Sequence, residues 1–155
     1  MSQTIGGGAA SRLGDMSAAM LHQFCAGIGV GKTVKGTERH LSPEELATVL
    51  LCSALTKRGC PRAVAFAAGR AILASDEWTN VVANEDARHL AVVGWRPGEL
   101  VELASVPADD LPDHFAKLIE HHGDTLRFDA IFMAPFARAA LAHSLKESRD
   151  ARQIG

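Results

Sequence analysis

The sequence predicts an α+β protein that is mostly helical. Apolar residues recur at the helical period in segments 18–26 and 43–57. Segment 90–95 is apolar and β-branched, segment 99–106 alternates as a strand does, and the turn signal Arg96-Pro97-Gly98 separates them. The 155-residue chain has no Tyr and only 5% aromatic residues, so Ala, Leu, Val and Ile must supply most of its core. Such side chains suit closely packed helices.

In the first part of the chain, the sequence predicts two short helices after a loose, Gly-rich N-terminal segment over residues 1–7. Segment 8–13 forms the first helix, and Ser17 is a good N-cap for the second, over 18–26. One side of the second helix carries an apolar stripe of Met20, Leu21, Phe24 and Cys25. The other side carries Ala18, Ala19, His22 and Gln23. Glycines at 27, 29 and 31 end this helix.

An extended excursion follows over residues 30–40, with a turn expected at Lys35-Gly36. The longest helix then begins at a capping box in which Ser42 caps, Pro43 is the first helical residue and Glu45 completes the box. It continues to about Lys57, and Gly59 stops it. Its predicted buried stripe is Leu46, Val49, Leu50, Ala54 and Leu55. Pro61 opens a fourth helix that reaches about residue 74.

The second part of the chain predicts a small α+β module. Residues 75–88 form a polar junction, and Trp78 and Trp95 at its flanks pack the two parts together or are buried in a dimer. The predicted elements are strands over 90–95 and 99–106, a helix over 109–121, a strand over 128–133 and a helix over 136–147. The first of these helices has the apolar face Leu111, Phe115, Leu118 and Ile119. These elements give two domains, 1–75 and 76–155.

Charge divides the chain in the same way. Residues 1–70 hold eight basic and four acidic residues, a net charge of +4, whereas the remainder holds eight and fourteen, a net charge of −6. A basic half can meet phosphates while an acidic half stays away from them. The asymmetry therefore favours nucleic acid as a partner of the first half, although the whole chain has a net charge of −2.

Composition also indicates the compartment. The N-terminus lacks a basic patch followed by a long apolar run, which argues against a signal peptide. The longest apolar run, 46–55, is about half of a bilayer span, so no membrane crossing is expected. Three cysteines, Cys25, Cys52 and Cys60, lack the spacing of a disulfide framework and favour reduced thiols. We therefore expect a cytoplasmic protein.

The order of the N-terminal elements resembles a known family. Residues 10–24 (ASRLGDMSAAMLHQF) resemble the helix-turn-helix of MerR-type regulators and their excisionase-like relatives, with Leu21 and Phe24 at the family's leucine and aromatic positions. Residues 39–46 (RHLSPEEL) resemble the end of the MerR wing and the start of the next helix, and 51–61 (LCSALTKRGCP) resemble that helix and its turn. The resemblance covers roughly the first 70 residues. His22 and Gln23 replace the family's usual Arg and aromatics, and no coiled coil follows.

The resemblance implies a winged helix-turn-helix that binds double-stranded DNA as a homodimer, in the manner of a phage- or prophage-type transcriptional regulator. The second helix would enter the major groove, where Gln23 can pair with adenine and the Ala methyls can meet a thymine methyl. The expected DNA-binding residues are Arg12, Ser17, Ala18, Ala19, His22, Gln23, Lys32, Lys35, Arg39, Lys57 and Arg58. The alternative is a protein-interaction adaptor that keeps this fold, with residues 76–155 as the surface for a partner or for self-association.

Other chemistry is less well supported by the sequence. Residues 26–33 (AGIGVGKT) fit a relaxed phosphate-loop pattern, but helical spacing precedes them and a poor helix follows. His114 and His121 share a helix face at a spacing of seven, whereas metal ligands on one helix usually lie four apart. Cys52 and Cys60 leave a redox or metal-sensing role as an alternative. We expect no catalytic residues, no metal and no cofactor.

Overall fold

The computed structural model describes residues 5–34, 38–84 and 88–143, and the side chains within them except those at 5, 32–34, 38, 39 and 124. The helices are α1 Gly7–Leu13, α2 Ala18–Ile28, α3 Pro43–Lys57, α4 Arg62–Leu73, α5 Glu77–Ala83, α6 Leu111–His122 and α7 over 134–143. The strands are β1 Ile5–Gly6, β2 Lys32–Val34, β3 Glu38–Leu41, β4 His89–Arg96, β5 Glu99–Pro107 and β6 Arg127–Phe132. The protein is therefore α+β and mostly helical, as the sequence predicts.

Three short strands form a small antiparallel sheet in the order β1-β3-β2. β2 pairs with β3 in the register Thr33 with Arg39, which confirms an extended excursion; its predicted turn at Lys35-Gly36 lies outside the described residues. The prediction of a loose N-terminal segment over residues 1–7 is wrong at its end, because residues 5 and 6 form β1 and pair with Leu41 and His40. The free edge of β3 supplies backbone partners that residues 5 and 6 would otherwise lack.

The second antiparallel sheet has the strand order β5-β4-β6. Arg96 pairs with Glu99, which leaves Pro97-Gly98 as a two-residue turn with Gly98 at φ 77°, a conformation that glycine adopts without strain. The central strand β4 is buried from Leu90 to Trp95. Helix α6 covers one face of this sheet through Val92, Val106 and Leu118, and the other face packs towards the N-terminal helices.

One hydrophobic core crosses the predicted domain boundary at residue 75. The same buried cluster contains α2 and α3 side chains together with Ala91, Val93, Trp95 and Met133 of the second sheet region. Trp78 and Trp95 are both buried in it, so the expectation that they pack the two parts together is confirmed within one chain. The division into domains 1–75 and 76–155 stays a prediction.

Shared packing explains two errors of the sequence-based prediction. The residues expected to form a polar junction include helix α5, whose Trp78 is only 5% exposed and donates its indole N–H to the Thr48 hydroxyl at 2.9 Å. Helix α3 does not have the predicted single stripe, because every residue from Leu46 to Ser53 is buried. Helices α5 and α7 lie over the side of α3 that would otherwise meet water, as the lining residues Ala47, Trp78 and Ala137 of a common groove show.

The apolar face predicted for α6 is correct in three of its four positions. Leu118 is buried, and Leu111 and Phe115 pack against the cluster around Val92. Ile119 is instead 55% exposed. Within the described ranges, none of the helices combines the length and apolar character needed to cross a membrane.

Candidate nucleic-acid interface

Helix α2 presents one face to solvent at the surface of the N-terminal half. The Ser17 hydroxyl accepts a hydrogen bond from the Met20 backbone N–H at 3.1 Å and so caps the helix start, as predicted. Leu21, Phe24, Cys25 and Ile28 are buried beneath the helix. The exposed face consists of Ala18, Ala19, His22, Gln23 and Ala26. This face is small and contains no Lys, Arg, Asp or Glu.

Helix α4 holds α2 in place through two arginines. The Arg62 guanidinium donates to the Gln23 side-chain oxygen at 2.6 Å and lies 5.9 Å from the centre of the Phe24 ring. The Arg70 guanidinium donates to the Gly27 carbonyl at 2.6 Å, where a cation is favoured by the helix dipole. Gln23 is thereby orientated at the exposed face, with its amide nitrogen left for another partner.

Close packing between the same two helices depends on Gly27. A Cβ atom at this position would come within 2.3 Å of the Phe66 ring, far inside van der Waals contact. Phe66 in turn meets the Phe24 ring edge to face at a centroid distance of 5.2 Å. The aromatic pair and the glycine therefore determine how closely α2 packs against α4.

The predicted wing residues follow α2 directly in the chain. Gly29 ends α2 at φ 84° and Gly31 lies at φ 78°, so the backbone reverses into β2. Lys32 starts β2 and Arg39 lies in β3, with their side chains outside the described part of the structure, as is the whole of Lys35. The backbone thus places two of the three predicted wing cations on an antiparallel strand pair adjacent to the end of α2.

The remaining predicted cations differ in their contacts. Arg12 is exposed in the last turn of α1. The Lys57 ammonium donates to the Gly14 carbonyl at 3.3 Å and so ties the end of α3 to the turn between α1 and α2. Arg58 forms a two-pronged ion pair with Asp129 of β6, at 2.6 and 2.7 Å. Hydrogen bonding to Asp129 raises the pKa of Arg58 further above its usual value.

The sequence predicts that Arg58 contacts the DNA backbone, whereas its guanidinium is engaged with Asp129 of the second sheet. Arg62 and Arg70 count towards the basic half, but their contacts with α2 are not predicted. Their spacing of eight residues, about two helical turns, was the available signal that both lie near one face of α4. What the sequence could not show is that this face adjoins α2.

The phosphate-loop alternative does not fit the observed order of elements. A phosphate loop joins a strand to the N-terminus of a helix. Residues 26–33 instead run from the C-terminal end of α2 into strand β2, so a strand rather than a helix follows the glycines. Asp129, the carboxylate considered for a magnesium ion, is paired with Arg58.

The histidines of α6 form no recognisable metal site. His114 Nε2 lies 3.5 Å from a Glu102 carboxylate oxygen, and the His121 and His122 rings meet edge to face at 4.7 Å. In the part of the chain that the structure describes, no group of three or more His, Cys, Asp or Glu residues is arranged to hold a metal ion.

Burial disfavours the thiolate form of the two neighbouring cysteines, Cys52 and Cys60. It raises the pKa of Cys52 to about 12, with Cys60 adding to the shift, and it raises the pKa of Cys60 to about 11, with Asp129 adding to that shift. The thiolate is the reactive form of cysteine, so we expect both residues to be alkylated by iodoacetamide at pH 8 at least about a hundredfold more slowly in the folded chain than in urea. Peptide mass spectrometry after timed quenching measures both rates.

The same shifts predict how stability depends on pH. The unfolded thiols, with an ordinary pKa of 9.0, lose their protons before the folded ones. The free energy of unfolding should therefore fall as the pH rises above about 9, by up to about 1.4 kcal/mol per pH unit for each thiol. Rapid alkylation of the folded chain, or a stability that rises from pH 9 to 10, would show that the thiols are accessible and ionised.

The chain matches no known family model, and no curated protein matches it.

Proposed function

We propose that the protein binds double-stranded DNA in a sequence-specific manner and regulates transcription, with α2 in the major groove and the β2–β3 strand pair along the backbone. The observation that carries the proposal is the exposed face of α2. It projects from the basic half of the chain, directly precedes the strand pair with Lys32 and Arg39, and contains no carboxylate. The resemblance of residues 10–61 to MerR-type proteins supports the same arrangement.

The chemistry of the face determines how it would read DNA. Ala18 and Ala19 at the start of α2 are small enough to let the helix backbone approach the bases. The Gln23 amide, held by Arg62 at its oxygen, can donate from its nitrogen to a base acceptor. Lys32, Lys35 and Arg39 neutralise phosphates, which adds affinity and salt sensitivity but no sequence information. A second copy of the chain would supply the other half-site.

A salt series tests the proposal. The full chain is titrated into a fluorescent duplex, selected by the protein from a random-sequence pool, between 50 and 300 mM salt, beside a Lys32/Lys35/Arg39→Ala variant. We expect steep salt dependence for the parent. The variant should bind roughly tenfold or more weakly, with a slope of log affinity against log salt that is smaller by about 3.

The matched control removes the same number of charges from the acidic half, in an Arg88/Lys117/Arg127→Ala variant. Its affinity and slope should stay close to those of the parent. Equal losses in both variants would mean that only net charge matters. Absence of binding at 50 mM salt would overturn the proposal and favour the adaptor alternative, in which α2 contacts another protein.

A further inference from the structure

A groove with an apolar lining opens between α3, α5 and α7, on elements that the proposed DNA contacts do not use. Its volume is about 300 Å³, at the small end of the range for small-molecule sites. Ala47, Trp78 and Ala137 line it, and Val82 and Leu141, which are 44% and 38% exposed, flank its mouth. A ligand in the groove would remove this apolar surface from water, which is favourable.

The indole wall of this α3–α5–α7 groove is held rigidly. The Trp78 N–H donates to the Thr48 hydroxyl at 2.9 Å, and that hydroxyl donates to the Glu44 carbonyl at 2.8 Å. Both Thr48 and Trp78 are buried, so the polar end of the ring is satisfied inside the protein. The ring therefore presents hydrocarbon and π surface to the groove, and a ligand meets a wall already in its final position.

The charge at the groove has one sign. Glu44 is the charged residue among the lining side chains, and it is exposed in the first turn of α3. Neither of the ion pairs found among the described residues involves it. A carboxylate and an indole among the lining residues of one groove together favour an ammonium group, through an ion pair and through the negative face of the ring.

We propose that the α3–α5–α7 groove binds a small molecule that consists of an apolar body and one ammonium group. The apolar body fills the space against Trp78, Ala47 and Ala137, and the ammonium group lies at the rim beside Glu44. The volume fits a ligand of one ring and a short chain. An anion is disfavoured by Glu44, and a neutral ligand of the same shape lacks the charge contact.

The proposal is tested with 2-phenylethylamine as the probe and the ¹⁵N-labelled full chain. The indole N–H resonance of Trp78 should shift in a saturable manner, with a Kd on the order of 1 mM for so small a ligand. The indole resonance of Trp95, which lies in β4 outside the groove lining, serves as the internal reference. 2-Phenylethanol, which has the same shape without the charge, should bind roughly threefold to tenfold more weakly, and phenylacetate more weakly still.

Three variants locate the site. Glu44→Gln should weaken binding of 2-phenylethylamine about twofold to fivefold, whereas Glu99→Gln, which removes an exposed carboxylate at the start of β5, should leave it unchanged. Ala83→Trp, at an exposed lining position, should fill the groove and abolish the shift without unfolding the chain.

Several results would overturn the proposal. These are shifts that do not saturate, shifts centred on residues away from the groove, or equal affinity for the amine, the alcohol and the carboxylate. A change of molar mass in light scattering caused by Ala83→Trp would also overturn it, because the groove would then be covered by a second copy of the chain.

Discussion

Phe24→Ala is expected to lower the free energy of unfolding by about 3–5 kcal/mol. Phe24 is 1% exposed, meets Phe66 edge to face, and lies beneath the Arg62 guanidinium. Its removal leaves a cavity below α2 and releases both neighbours at once. Because the stability of a domain this size is of the order of 5–15 kcal/mol, the loss should populate unfolded chain at moderate urea concentrations.

Urea denaturation followed by circular dichroism measures the loss, and Phe132→Ala is the matched control. Phe132 is 38% exposed at the end of β6 and contacts the Arg88 side chain at 4.9 Å. Its truncation should cost less than about 1 kcal/mol. If the two variants lost stability equally, Phe24 would not be the anchor of α2 that the structure shows.

Met133→Ala is expected to destabilise the whole chain by about 2–5 kcal/mol, including helices far from it in sequence. Met133 is fully buried between β6 and α7 in the cluster that also holds α2, α3 and α4 side chains. Since the core is continuous, unfolding should be a single cooperative transition. Loss of this side chain should therefore weaken the N-terminal and the C-terminal halves together.

Native-state hydrogen exchange reports the opening free energy of each helix and strand. It therefore distinguishes a loss of stability in both halves of the chain from a loss in the C-terminal half alone. We expect amides in the middle of α2 and α3 to lose as much protection as those of β4. Ile119→Ala, at a 55% exposed site on α6, should change neither set. Protection lost in β4 alone would show that residues 1–75 fold independently, as the predicted division into two domains implies.

Local signals in the sequence predicted the local structure well. The Ser42 and Glu45 capping box is present with both of its hydrogen bonds, at 3.1 and 2.8 Å, and Ser17 caps α2 as expected. The Pro97-Gly98 turn and the two strands around it are also confirmed. Caps and turns depend on residues within a few positions of each other, so their energetics can be inferred from the sequence alone.

Long-range packing is where sequence reasoning failed. Trp78 was placed in a polar junction because its neighbours Asp76, Glu77 and Thr79 are polar, although the ring is buried against Thr48 thirty residues earlier. The burial of every residue from Leu46 to Ser53 depends in part on α5 and α7, which lie well beyond α3 in the chain. The engagement of Arg58 with Asp129 spans 71 positions, and no periodicity within either segment predicts it.

The candidate nucleic-acid interface also combines a local feature that the sequence predicts with a long-range contact that it does not. The helical period predicts four residues of the exposed face of α2, Ala18, Ala19, His22 and Gln23, and Ala26 completes the face in the structure. The hydrogen bond from Arg62 to the Gln23 side-chain oxygen leaves the amide nitrogen for a base. That hydrogen bond depends on how α4 packs beside α2. A helical period identifies the outward side of a helix, but it does not identify which neighbours reach around to it.

The central claim is that α2 and the β2–β3 strand pair form the surface that contacts DNA. The most direct test is a titration of the ¹⁵N-labelled full chain with the selected duplex, followed residue by residue in amide spectra. We predict that the largest shifts and broadening occur at Ala18, Ala19, His22 and Gln23 and along the β2–β3 pair, with α6 and β5 unaffected. Shifts confined to α6 or the second sheet, or none at any duplex concentration at 50 mM salt, would contradict the account.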